Sequence, residues 1–247
     1  IRREDMLLDH EELRAVLDGM YWDHGAFAVK MISSDKNAVS RAVTEFKRSL
    51  PAFCTNSCAI FEDIEINEVQ TEMILHSVMP AGVSKSHVEL ISRIGQTASR
   101  MCELINNHEF KCSYEMLELI HQCLSLEKQS ALALKEPMEF LQANIKDQKE
   151  LAAAVFLYLC KKNIFKDFNG ISALFMMNGI LISAGFFPFM IKARDKAEFR
   201  IRLKEFLLSA NASDIMHFLV MTYERRFVRH EKFSKLKSKE KSKLTFF

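Results

Sequence analysis

Two apolar runs bracket a short polar loop, and that arrangement restricts the folds open to this chain. Leu151 to Cys160 is almost unbroken apolar sequence, and Leu174 to Ile182 is apolar on nearly every face. Both runs are shorter than the ~20 apolar residues of a membrane span, so they read as buried core helices. Segments apolar all round belong at the centre of a domain rather than on its rim. The loop between them, Asn163-Ile164-Phe165-Lys166-Asp167-Phe168-Asn169-Gly170-Ile171, therefore lies where a ligand site would be built.

An all-α fold follows from the rest of the composition. Seven Gly and four Pro supply little punctuation for a many-stranded sheet, while 13 Met and 20 Phe suit helices packed on helices. The six cysteines show no CxxC spacing and no nearby paired histidines, so reduced core thiols are expected in place of a zinc site. No export signal is visible at Ile1-Arg2-Arg3, which reads as mid-chain or processed sequence, and no span is apparent. The expected compartment is the cytoplasm, with a secreted effector left open. From Arg225 onward nine Lys or Arg face two Glu, which leaves the preceding body net negative. An acidic body argues against a broad nucleic-acid surface.

Taken in order, residues 1–30 carry Met6, Leu7, Leu8, Leu13, Val16, Leu17 and Met20 at the spacing of one amphipathic helix. A second helix fits Asn37 to Leu50 and stops at Pro51. Phe53 to Asp63 looks irregular, with Thr55-Asn56-Ser57 as a turn. A third helix is expected over Ile66 to Met79. The stretch Ser84 to Asn106 superficially resembles a helix-turn-helix broken at Gly95, but only Arg93 and Arg100 could face DNA. One long helix is the preferred reading there. Tyr114 to Leu124 forms a helix with His121 beside its apolar stripe, where a packed core histidine is the expectation. Residues 125–136 read as a loop or short β-hairpin. Pro137 opens a helix over Met138 to Ala143, and Asp147 caps the central helix. Ala184-Gly185-Phe186-Phe187-Pro188 is a helix stop, and helices are expected at Asp195 to Ser209 and Ser213 to Val228.

The order and pattern from Tyr114 to Arg225 resemble the Fic (filamentation-induced-by-cAMP) family. Leu117-Glu118-Leu119-Ile120-His121, the loop, and Asn178-Gly179-Ile180-Leu181-Ile182-Ser183-Ala184-Gly185-Phe186-Phe187-Pro188 carry the likeness. The resemblance implies a Fic-type multi-helix bundle with a central buried helix pair. It divides the chain into an N-terminal helical region packed on the core (1–110), a Fic-like domain (111–226) and a basic tail (227–247).

Members of that family carry HPFx(D/E)GNGRxxR in the loop and transfer AMP from ATP to a hydroxyl of a target protein. The resemblance implies Asn163 at the position of the catalytic histidine, and an amide is no general base near neutral pH. It places Ile171 and Leu174 where two arginines hold phosphates, and Phe168 where a glycine lets backbone approach them. It implies no catalytic residue here. Asn169 and Gly170 match remnants of a nucleotide-binding turn, alongside roles as N-cap and tight-turn residue, and Asp167 matches the family's magnesium ligand. ATP with magnesium is the cofactor so implied. Upstream, Cys58-Ala59-Ile60-Phe61-Glu62-Asp63 resembles the inhibitory segment of the family's self-braked members, with Glu62 as its glutamate. That glutamate pairs with the second motif arginine, and Leu174 offers it no such partner.

Three functions follow from these residues. One is a pseudoenzyme that has lost AMP transfer and binds an unidentified protein partner, with a homo-oligomer left open. A second is a nucleotide-binding transferase of altered chemistry on the same fold, with His121 as a distant replacement base. The third is a helical DNA-binding protein using Ser84 to Asn106 and the basic tail.

Overall fold

A computed structural model describes residues 15–23 and 37–225, and every regular element within them is helical. Two helices with no polar face form the centre. α7 (Gln148–Lys162) is buried continuously from Lys149 to Leu159, and α8 (Asn169–Ser183) from Ile171 to Ile182. They pack on each other more extensively than any other pair of described helices. Asp147 caps α7, its Oδ1 accepting from the amides of Lys149 at 2.8 Å and Glu150 at 3.3 Å. Gly185, at φ +80°, ends α8, and the Phe186 amide reaches back to the Leu181 carbonyl at 2.9 Å.

Around this pair lie α1 (Ala38–Arg48), α2 (Leu50–Phe61), α3 (Glu68–Leu75), α4 (Lys85–Asn106), α5 (Tyr114–Ser125), α6 (Lys135–Asn144) and α9 (Lys196–Ser209). Residues 213–225 form α10. A single buried core draws on elements from both ends of the chain. Leu17, Met20 and Trp22 are fully buried, and Trp22 Nε1 donates to Glu150 Oε1 at 2.8 Å. Most of the helix expected over residues 1–30, the end of the one expected to reach Val228, and the tail 227–247 lie outside the described residues.

Several expectations need correction. Phe53 to Phe61 is not irregular but makes up most of α2, and only Glu62 and Asp63, the latter at φ 55°, lie beyond its end. Its polar residues bond back along the helix, Asn56 Nδ2 to the Ala52 carbonyl at 2.6 Å and Ser57 Oγ to that of Phe53 at 2.7 Å. Pro51 sits in the first turn of α2, where its missing N–H costs nothing. α3 is shorter than expected, opened by a capping box between Asn67 and Gln70. Helix α6 begins at Lys135, ahead of Pro137.

No β-hairpin forms over 125–136. Leu126 closes α5 in the left-handed region, and a 3₁₀ turn spans Leu132–Leu134. Glu118 Oε1 accepts the Ala131 amide at 2.6 Å, and Ser125 Oγ accepts that of Glu127 at 3.1 Å. Side chains thus satisfy backbone groups that a hairpin would have paired across strands. Gly95 does not break α4, which runs unbroken for 22 residues, so the helix-turn-helix has no turn. Among the described residues no helix is long and apolar enough to cross a membrane.

Candidate functional site

The loop is held at both ends by residues in the left-handed region. Asn163 closes α7 at φ 44°, ψ 51°, its amide bonded to the Leu159 carbonyl at 3.0 Å, and it is exposed. Asparagine is among the few non-glycine residues that accept this conformation readily. Phe168, at φ 50°, ψ 21°, precedes α8 as its N-cap without any capping side chain. A bulky residue there carries strain. Its ring lies beneath the Arg93 guanidinium, with Cζ 5.5 Å from the centroid.

Asn169 is not the N-cap expected of it. It is the first residue of α8, and its amide group clips the loop shut. Oδ1 accepts from the Phe165 amide at 2.8 Å, and Nδ2 donates to the carbonyls of Phe165 at 2.7 Å and Asp167 at 3.4 Å. Nor is Gly170 a tight-turn residue. It lies within the first turn of α8, where a Cβ would fall 2.1 Å from Cδ1 of Phe61. Its lack of a side chain lets the end of α2 pack against the start of α8.

Phe165 is buried and stacks on His121, with ring centroids 3.8 Å apart and planes 17° from parallel. His121 Nε2 lies 3.2 Å from both the Asp167 carbonyl oxygen and Asp167 Oδ1. A carbonyl can only accept, so Nε2 carries the proton. The other nitrogen, Nδ1, faces Ser125 Oγ at 3.4 Å. With no exposed surface and its donor committed to Asp167, His121 is a loop anchor, and the replacement-base role raised from sequence does not fit it.

The two positions where the resemblance sought arginines are core. Ile171 is 0% exposed and Leu174 1%. The segment resembling the inhibitory one does sit on the loop: Phe61 covers Gly170, and the neighbouring charge of Asp167 adds to burial and Asp63 in pushing the Glu62 carboxyl above its ordinary range. Burial contributes most to that rise. Glu62 has no cation partner among the described residues. Asp63, its neighbour, instead takes Lys196 Nζ at 2.6 Å and Arg200 Nη2 at 3.0 Å, hydrogen bonds that hold its carboxyl down at about 2.

Magnesium-nucleotide does not fit this residue set. Asp167 gives its Oδ1 to His121, the Asn169 amide group is used within the loop, and aliphatic side chains occupy positions 171 and 174. No cluster of three or more His, Cys, Asp or Glu that could hold a metal occurs among the described residues. The start of α8 is, like other helix starts, a place where the first amides lack intrahelical partners.

Fold comparison agrees with the resemblance. The chain aligns with Fic-1 from C. elegans (amino acids 134–508) at TM-score 0.63 and 18% identity, over 90% of this chain and 70% of that one. The Fic fold is this chain's fold. A single-residue variant of Fic-1 gives TM-score 0.68 at 16% identity, covering 92% and 73%. A Fic domain containing signaling protein from Bacteroides thetaiotaomicron VPI-5482 gives 0.61 at 14%, covering 87% and 94%. No protein-family model matches the sequence, and no curated protein matches it. At these identities the likeness carries the Fic architecture and not an activity.

The link from His121 to Asp167 was not visible in the sequence, since 46 positions separate the residues. Nothing in the sequence pairs Arg93 with Phe168 either. Only the histidine offered a signal, as a polar residue beside the apolar stripe of α5.

Proposed function

We propose that this chain is a Fic-fold pseudoenzyme: it has lost AMP transfer and acts as a protein-binding or regulatory domain. The observation that carries this reading is the burial of Ile171 and Leu174 at the start of α8. Placing phosphate-binding cations there would require opening the core, so no small local shift restores them. Asn163 adds to the reading, because its amide cannot take a proton from an attacking hydroxyl. Its position instead suits a helix cap. The alternative, a transferase of altered chemistry, rests on Asp167, Asn169 and Gly170; here Asp167 bonds His121, the Asn169 amide group bonds within the loop, and Gly170 packs on Phe61.

The test is transfer of label from ATP labelled at the α-phosphate to the protein itself or to proteins of a lysate. The expected result is no incorporation above a heat-treated control. Incorporation that disappears in Asn163→Ala would refute the reading.

A further inference from the structure

A cleft of about 520 Å³ lies at the opposite end of α2 from the loop. Ala52 lines it, whereas Phe61 packs on Gly170, and nine residues of helix put about 13 Å between them. The volume is within the roughly 300–1,000 Å³ range of small-molecule sites.

Four cations converge on the cleft from three parts of the chain. Arg48 comes from α1, Lys192 and Arg194 from the segment after α8, and Arg225 from α10; Glu45 and Asp195 are the two acids present. Both acids are engaged, Glu45 by Arg48 Nη2 at 2.6 Å and Asp195 by Arg194 Nε at 3.6 Å. The side chains of Lys192 and Arg225 have no hydrogen-bond or ion-pair partner among the described residues. Gathering uncompensated cations in a concave site focuses positive potential there.

The segment carrying Lys192 and Arg194 is also fixed in place by two buried asparagines. Asn56 Oδ1 accepts the Ala193 amide at 2.7 Å, and Asn56 Nδ2 donates to Met190 Sδ at 3.3 Å. Asn178 Oδ1 accepts the Phe189 amide at 2.6 Å, and its Nδ2 donates to the Phe189 carbonyl at 3.1 Å. Cations on a pinned backbone lose less freedom on meeting a ligand.

We infer that this cleft binds the phosphate group of a small phosphomonoester. Such a group carries about −1.5 to −2 near pH 7, which matches the two uncommitted cations, whereas a carboxylate would offset one. Ala52 and Met190 give its organic part an apolar wall. This site is separate from the loop and does not depend on whether the loop retains chemistry.

The experiment is calorimetric titration of the full chain with inorganic phosphate and with phenyl phosphate, at constant ionic strength set by sodium chloride. Both probes are expected to bind, phenyl phosphate more tightly. Lys192→Gln/Arg225→Gln should weaken both by about tenfold or more, given the strength of charge-assisted bonds to phosphate. Lys85→Gln/Arg100→Gln, which removes exposed cations of α4, should change neither, and Asp167→Ala should change neither. If the cleft pair fails to fold, Arg225→Gln alone, at an exposed position, is expected to weaken both probes severalfold. Absence of binding, equal weakening by the α4 pair, or binding of phosphate without phenyl phosphate would each overturn the inference.

Discussion

His121 and Asp167 meet twice across the loop, through one imidazole N–H that lies 3.2 Å from both the backbone carbonyl and a carboxylate oxygen of the aspartate. The arrangement fixes the ring's tautomer and leaves the aspartate's Oδ1 partly used. Removing the histidine should cost more than the shared bond alone. His121→Ala also removes the stack on Phe165 and is expected to destabilise the fold by about 2–4 kcal/mol. Asp167→Asn keeps an acceptor and the backbone carbonyl, and should cost under about 1 kcal/mol. Denaturant unfolding of His121→Ala, Asp167→Ala and their double variant, in which the side-chain acceptor is removed altogether, should give a coupling near 1 kcal/mol. Zero coupling would mean that the side-chain contact contributes nothing to the loop.

Which parts of this site the sequence exposes depends on how local their causes are. The helices α7 and α8 were legible because residues apolar all round leave no other place for them. Asn56 and Ser57 are ambiguous in sequence, since the same side chains that favour turns can bond back to a helix when the flanking residues are buried. The turn over residues 125–136 is not legible in sequence because the Ala131 amide finds Glu118, a partner on a neighbouring helix. Asn169 is not the N-cap, and Gly170 not the tight-turn residue, that their residue types suggest. Their roles are set by Phe165 and Phe61, whose placement only the folded chain reveals.

The two left-handed residues give a paired comparison. Alanine is disfavoured at positive φ by about 1 kcal/mol relative to glycine. Asn163→Gly is therefore expected to be more stable than Asn163→Ala, and Phe168→Gly more stable than Phe168→Ala, each by about that amount. Thermal unfolding of the four variants checks this. Equal stabilities within either pair would show that the loop relaxes out of the left-handed conformation.

Gly170→Ala would place a methyl group against the Phe61 ring. Overpacking of this kind is expected to cost about 1–3 kcal/mol. The cost should fall when Phe61→Leu is added, because a smaller side chain vacates the space. A double variant no better than the sum of its singles would show that the clash is relieved elsewhere.

Glu62 and Asp63 are neighbours with opposite pH behaviour. The folded-state carboxyl of Glu62 is raised, so its contribution is fully present below the ordinary value near 4.5 and is lost as pH rises through the folded value. Glu62→Gln is thus expected to be more stable than the parent near pH 7, with the advantage vanishing in acid. The Asp63 carboxyl is lowered to about 2, so its contribution is present above the ordinary 3.8 and is lost as pH falls towards 2. Asp63→Asn should therefore be less stable near pH 7, with the deficit closing over that interval. Melting temperatures across pH read both. A destabilised Glu62→Gln at neutral pH would reveal a cation partner for Glu62.

The polar side chains of Asp167 and Asn169 are spent on holding the loop itself. Titrating ATP with magnesium into the Lys192→Gln/Arg225→Gln protein, followed by calorimetry, tests this claim while keeping the basic cleft out of the measurement. The expected result is no saturable heat up to about 1 mM nucleotide, the concentration equivalent to roughly 4 kcal/mol of binding free energy. Saturable, magnesium-dependent binding that Asp167→Ala abolishes would contradict the claim.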